Sequence, residues 1–282
     1  MMDTRKTITF EFRQNQYELA FEKIALQSGP IIYSADIGGY SGNDAILSMA
    51  ARYPGRQFIF FTDRPVTISS GNLKIVSVDW TGRDERLVAK YFKVNSATIF
   101  NQHHIVSLWV DSNVEMIDDT ILNRFDSHGL QLLRHDKRTS ISQELQEIVK
   151  HGKESKERAH QAAISLARQT HDIDRLPLYQ GRIIFRRTEP QIIEFEKLWW
   201  AYILSTTYRD QISLPVAIEV SGVSANLIDA EERKKYFVIH PHKKYKFNTL
   251  EGGAETKLKF LLAKIRFKLA ITLQRFFKRS LN

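Results

Sequence analysis

Short apolar runs recur through the first 110 positions, and most are closed by a polar or glycine-containing turn. Thr7 to Phe12 alternates polar and apolar residues and predicts a half-buried strand. Pro30-Ile-Ile-Tyr-Ser34 and Gln57-Phe-Ile-Phe-Phe61 predict short buried strands, and Leu73 to Val78 and Ile105-Val-Ser-Leu-Trp-Val110 predict a third and a fourth strand. Between them, Asp44 to Tyr53 and Arg83 to Phe92 read as helices, with Leu87, Tyr91 and Val94 at core spacing. Strands alternating with helices predict an α/β layered domain with a mixed, mostly parallel sheet.

Further along, Ser140 to Arg175 is polar and helix-like. Gly181-Arg-Ile-Ile-Phe-Arg186 and Tyr236-Phe-Val-Ile239 are predicted strands. Glu189 to Thr206 predicts a helix with Pro190 in its first turn and an aromatic face of Phe195, Trp199 and Tyr202. Gly252-Gly253 is the clearest boundary, so residues 1–253 are expected to form one domain and residues 254–282 a C-terminal helix. In that tail Leu258, Leu262, Ile265, Leu269, Leu273 and Phe276 follow one helical face. Lys264, Lys268, Arg275 and Arg279 flank one side of the stripe, and Lys259 and Arg266 the other. Basic side chains beside an apolar stripe suit an anionic membrane surface; a helix docked on the body or in an oligomer is the alternative.

Charge sharpens this picture. The chain carries 41 Lys and Arg against 32 Asp and Glu, a net +9. After Glu255 there are eight basic residues and no acidic one, which leaves the body at +1. A near-neutral body argues against a nucleic-acid binder, which needs a basic face across the folded domain. The 282 residues contain no cysteine, which excludes disulfides, thiolate metal sites and cysteine nucleophiles. The first twelve residues carry Asp3, Arg5, Lys6 and Glu11 with no apolar core of a signal peptide, and no uncharged apolar run is long enough for a membrane span. A cytoplasmic protein, peripheral on the inner face of the membrane, is the expectation.

The candidate chemistry lies just past the predicted strands. Asp36, Asp63 and Asp111 each follow a strand end, where ligands of open α/β sheets bind. Asp111-Ser-Asn113 puts a carboxylate and an amide oxygen at i and i+2, a pair suited to Mg²⁺ or Mn²⁺; the same triplet also serves as a capped turn. Asp36-Ile-Gly-Gly-Tyr40 offers two glycines for close backbone approach and a ring for stacking, or simply a tight turn. Arg86 and Lys90 share a helix face that suits phosphate, or form a solvated stripe. Arg209-Asp210-Gln211 after the aromatic helix is a polar cluster or a salt-bridged cap, and His240-Pro-His242 at a strand end offers a metal ligand or a surface histidine. There is no P-loop, no G-x-G-x-x-G and no G-x-S-x-G.

The order of these segments resembles a glycosyltransferase-like family first catalogued as a domain of unknown function and best known from plant mucilage-related proteins. The resemblance spans roughly residues 30 to 245. It runs through Ala35-Asp-Ile-Gly-Gly-Tyr40, Phe61-Thr-Asp63, Arg86 to Lys90, Ser107-Leu-Trp-Val-Asp-Ser-Asn113 and Ile117 to Phe125. It continues through Arg134-His-Asp-Lys-Arg138, Gly181 to Arg187, Leu198-Trp-Trp200 and Tyr208-Arg-Asp-Gln-Ile-Ser213. It implies a single GT-A-type, Rossmann-like domain similar to family 8 glycosyltransferases, with a nucleotide-sugar donor and a divalent cation, Mn²⁺ or Mg²⁺. By that resemblance Asp111 matches the first position of an Asp-x-Asp metal motif, and Asn113 departs from its second. His242, or His240, matches a late histidine ligand. Ala35, Asp36, Tyr40 and Asp63 would hold base and ribose, Arg86 and Lys90 the diphosphate, and Asp210 and Gln211 the sugar and acceptor. The implied activity is retaining transfer to a cell-surface glycan or lipid-linked acceptor. The alternative is a non-catalytic nucleotide-sugar-binding or scaffold protein of the same fold, and an oligomer is left open.

Overall fold

The computed structural model describes residues 4–40, 42–66, 70–127 and 129–241. Among them the chain is α/β and builds one large mixed sheet. A hairpin begins it: β1 (Arg5–Phe12) pairs with β2 (Asn15–Glu22) from Arg5↔Glu22 to Phe12↔Asn15. β2 has no counterpart among the predicted strands, yet Tyr17, Leu19 and Phe21 are buried at alternate positions. Then come β3 (Ile31–Asp36), α1 (Asp44–Arg52), β4 (Gln57–Thr62), β5 (Leu73–Thr81), α2 (Glu85–Val94), α3 (Ser96–Phe100) and β6 (Val106–Val110). β5, β4, β3 and β6 lie side by side and parallel; the nearly continuous burial of β3, β4 and β6 fits their central place, whereas β5 has several exposed positions.

The second half adds β7 (Val114–Met116), a 3₁₀ segment (Asp119–Ser127), β8 (Leu130–Arg134), α4 (Ile141–Lys150) and α5 (Lys156–Ala167). It continues with β9 (Tyr179–Arg187), α6 (Pro190–Ser205), α7 (Asp210–Ser221), β10 (Ala225–Ile228), α8 (Ala230–Tyr236) and β11 (Phe237–Ile239). The sheet order is β1-β2-β5-β4-β3-β6-β9-β8-β10, with β9 antiparallel to both of its neighbours; β7 and β11 form a separate ribbon. The polar stretch 140–175, expected as helix, is two helices. Ser140 and Ser155 each cap one by accepting from a first-turn N–H, and Gly152, at φ 63°, supplies the turn between them. α7 runs through Pro215, so the Gln211 carbonyl goes without its intrahelical partner.

Two hydrophobic layers cover the sheet. On one face Tyr33, Phe61 and Trp109 pack with Phe92 of α2 and with Phe195 and Trp199 of α6. On the other, Phe58, Phe60, Leu108 and Phe185 pack with Ile46 and Met49 of α1 and Phe237 of β11. A smaller core joins α4 and α5 to Ile212 and Val216 of α7. No helix among the described residues is long and apolar enough to cross a membrane.

Two features place the site. From β3 the chain moves towards β4 and β5, whereas β6 lies on the other side of β3 and leads towards β9, β8 and β10. That reversal opens a crevice at the carboxyl ends of β3 and β6. The second feature is Arg186 of β9, which has no solvent exposure. Its guanidinium donates to the Lys93 and Val94 carbonyls at the end of α2 (2.6 and 3.0 Å) and to Glu196 of α6 (2.8 Å). Glu196 in turn accepts from the Ala97 N–H at the start of α3. Burial raises the pKa of Glu196 against the pull of Arg186. One buried ion pair thereby satisfies helix-end groups and fixes α2 on the sheet.

Candidate active site

The carboxyl end of β6 carries Asp111, whose backbone N–H donates to the Arg182 carbonyl of β9 (2.9 Å). Its Oδ1 accepts from the Trp109 indole (2.9 Å) and from Lys93 Nζ (3.2 Å). Lys93 is only 3% exposed and also reaches Asp210 Oδ2 at 2.6 Å. Asp210, the first residue of α7, takes Lys90 Nζ on Oδ1 at 2.7 Å. Lys90 and Lys93 come from α2, Asp111 from β6 and Asp210 from α7. Two lysines and two carboxylates thus form one chain of alternating charge, its inner pair Lys93 and Asp210 buried and its ends Lys90 and Asp111 partly exposed. Gly181 of β9 leaves room for it: a Cβ there would lie 2.9 Å from Asp210 Oδ2 and 3.0 Å from Lys93 Nζ.

Burial and pairing compete within this chain. Burial favours a neutral Asp210, but Lys90 and Lys93 outweigh it and hold the carboxyl far below its ordinary value. Asp111 is likewise lowered, burial again being overcome by Lys93 and Lys90. Lys93 is raised because its two carboxylates exceed the cost of burial, whereas burial wins at Lys90 and lowers it. Lys90, 23% exposed, is the lysine that reaches solvent.

The loop between β3 and α1 follows the carboxyl end of β3. Asp63, just past β4, accepts from the Gly38 N–H (3.0 Å) and the Trp80 indole (3.0 Å); Asp36 accepts from the Gly42 N–H (3.0 Å). Gly38 and Gly39 both have positive φ, and a side chain on Gly39 would collide with the Arg64 guanidinium, which donates to the Gly38 carbonyl. Asp36 and Asp63 therefore shape this loop through its backbone. Ala35 is buried and Tyr40 is 61% exposed at the loop tip. Arg86 pairs with Asp84 (2.8 Å), donates to the Tyr208 hydroxyl (3.1 Å) and lies over the Tyr208 ring. Gln211 Nε2 donates to the Tyr179 carbonyl (3.4 Å).

No known family model matches the chain, and no curated protein matches it.

Asn113 lies two residues past Asp111 and donates its amide to the His240 carbonyl (2.6 Å). The His240 ring pairs with Glu115 (2.8 Å), which also accepts from Ser48 (2.7 Å) and Arg52 (2.8 Å). Asn113, His240, Glu115 and Ser48 line a cavity of about 170 Å³ between α1 and the β6–β7 turn. Burial opposes ionisation of Glu115, but its bonds to Ser48, His240 and Arg52 lower its pKa.

For a divalent cation, Asp111 offers an oxygen not taken by Lys93 or Trp109, and Asn113 keeps its amide oxygen. Two oxygens at a strand end suit Mg²⁺ or Mn²⁺ that retains several waters. The described residues contain no cluster of three His, Asp or Glu that could hold a metal. His242, and the tail with its Gly252-Gly253 boundary, lie outside the described residues. The structure thus brings Lys90, Asp111 and Asp210 together, and Asn113 beside His240.

Two participants were absent from the sequence reading. Lys93 follows Lys90 by three positions on α2 and interrupts the run Tyr91 to Val94, so a lone cation on an apolar face was the available signal. Glu115 follows Asn113 by two positions, in β7 just past the turn.

Proposed function

We propose that this chain is a glycosyltransferase that moves a sugar from a nucleotide-sugar donor to a glycan or lipid-linked acceptor, probing the donor in the crevice between β3 and β6. The observation that carries the reading is the Lys90–Asp210–Lys93–Asp111 chain at the carboxyl end of the sheet. A mixed, mostly parallel sheet with a switch point is what a GT-A-type fold of this kind calls for, and the segment order that resembles the glycosyltransferase-like family supports the same reading.

Breaking a sugar–phosphate bond builds negative charge on the departing diphosphate and positive character on the sugar. Lys90 can turn from Asp210 to a phosphate oxygen, and Arg86 adds a second fixed cation at the rim. The β3–α1 loop, held by Asp36 and Asp63, would take base and ribose, with the exposed Tyr40 ring at its tip. Asp210 has both carboxylate oxygens on lysines, which makes it a poor general base. Retention is the outcome that the resemblance to family 8 enzymes implies. Gln211 would face the acceptor. A bound Mg²⁺ or Mn²⁺, held by Asp111, Asn113 and His242, would act as a Lewis acid on the leaving diphosphate.

The second reading, a nucleotide-sugar binder without catalysis, draws on the pairing of Asp111 with Lys93 and of Asn113 with the His240 carbonyl. Release of nucleoside diphosphate from a bound donor separates the two: turnover supports the enzyme, and binding without turnover supports the scaffold. Placement on the inner membrane face rests on the sequence of the tail alone.

A further inference from the structure

On another part of the same unit, the tip of the β1–β2 hairpin, α5 and the end of α6 surround a cavity of about 460 Å³, a size usual for small-ligand sites. Its wall is polar. Arg13 and Gln14 come from the hairpin tip, Arg158, Gln161 and Ser165 from α5, and Thr206 from the residue after α6. Positions 158, 161 and 165 fall on one helical face, so α5 presents a continuous polar strip.

Three observations define what such a wall can hold. The first is charge. Glu154, 3% exposed, accepts from Arg13 at 2.8 Å, from Arg158 at 3.5 Å and from the Thr207 hydroxyl at 2.9 Å. Two guanidiniums facing one carboxylate leave one positive charge. The Arg158 side chain is 59% exposed, so its remaining N–H groups stay available to a ligand. The second is hydrogen-bonding character. Gln14, Gln161 and Ser165 each donate and accept, which matches hydroxyl groups rather than a bare anion. None of the lining side chains among the described residues is acidic. The third is the hairpin tip itself. Arg13 and Gln14 both adopt left-handed φ values, 51° and 62°, at a two-residue turn where Asn-Gly would fit with less strain. The strained pair puts a guanidinium and an amide on the cavity wall, and an Asn-Gly turn would supply no guanidinium.

We propose that this cavity binds a saccharide unit carrying a single negative charge, such as a uronic acid. The carboxylate pairs with the surplus guanidinium charge of Arg158 and Arg13, and the ring hydroxyls bond to Gln14, Gln161 and Ser165. The site does not depend on the reaction assigned to the crevice. It is tied to the crevice by the chain itself: Thr206 lines the cavity, Thr207 bonds Glu154, Tyr208 carries Arg86, and Asp210 joins the lysines.

The test is a backbone-amide NMR titration of the full chain with methyl glucuronide, methyl glucoside and inorganic phosphate in parallel. The expected result is saturable shifts at Gln14, Gln161, Ser165 and Thr206 with the glucuronide. Binding of the neutral glucoside should be about tenfold weaker, the loss of one charge-assisted pair. Arg158→Gln, a change at a half-exposed position that leaves Arg13 on Glu154, should weaken the glucuronide about tenfold and erase the difference between the two sugars. The proposal is overturned if the glucuronide gives no saturable shifts at these amides, if the glucoside binds equally well, or if Arg158→Gln changes nothing. Phosphate binding as tightly as the glucuronide would also overturn it, because the site would then be a plain anion site.

Discussion

Asp210→Asn tests the alternating charge chain most severely, because it removes one charge and little volume. Asp210 has lysine contacts at 2.7 and 2.6 Å. At an effective dielectric near 20, each such contact carries about 6 kcal/mol of attraction. The variant loses that attraction but no longer desolvates a carboxylate, which returns several kcal/mol. Two further features limit the damage: Lys93 keeps Asp111 at 3.2 Å, and Lys90 can turn to solvent. We expect a net loss of about 3 kcal/mol, the low end for breaking a buried pair. In a chain of this size that lowers Tm by about 6–12 °C. The dependence on pH follows from the lowered pKa of Asp210. A carboxyl with a folded-state pKa below its unfolded value stabilises fully above the unfolded value, and the contribution fades as pH falls through the folded one. The difference between wild type and variant should therefore be flat from neutral pH down to about 5 and shrink below about 4. Urea denaturation across that range reads it directly. A difference under about 0.5 kcal/mol at neutral pH, or one unchanged in acid, would refute the buried charge chain.

Three other outcomes are expected. Gly181→Ala should press a methyl group against Asp210 and Lys93, lowering stability by about 1–3 kcal/mol and slowing turnover together, as read by thermal denaturation and a steady-state assay. Gln211→Ala should lower kcat more than it raises the KM for donor, as a group acting mainly on the sugar and acceptor would; the opposite split would move Gln211 to the nucleotide pocket. Deleting residues 254–282 should leave a folded body that no longer floats with anionic vesicles. The tail carries eight basic residues, each contributing about 1 kcal/mol near such a surface, and a full-length chain that ignores the vesicles at low salt would count against the membrane placement.

The central parallel strands were legible in the sequence because burial on both faces writes a nearly continuous apolar run. β2 was not, although its alternation is plain, because the Arg13-Gln14 turn carries none of the Asn-Gly chemistry that announces a hairpin. α7 was hidden by Pro215, which reads as a helix breaker until tertiary packing of Ile212, Leu214 and Val216 outweighs it. β8 and β10 are short, and their pairing is a long-range property that no local pattern encodes. At the site, strand ends marked Asp36, Asp63 and Asp111 as neighbours of a crevice. Their division of labour was invisible: Asp36 and Asp63 hold a loop backbone, while Asp111 enters an ion chain. Asp210 was readable as part of a polar cluster, but its partners on α2 depend on the packing of α7 against β9 and of both α7 and α2 against α6.

The most direct measurement is release of nucleoside diphosphate from a panel of nucleotide sugars, with Mn²⁺ and with chelator, by wild-type protein and Asp111→Ala, with thermal stabilisation scored for every donor. The account requires one donor class that raises Tm and is turned over by wild type, and turnover lost in Asp111→Ala while the variant stays folded. Undiminished turnover in Asp111→Ala, or a panel in which no nucleotide sugar either stabilises the chain or is cleaved, would contradict it.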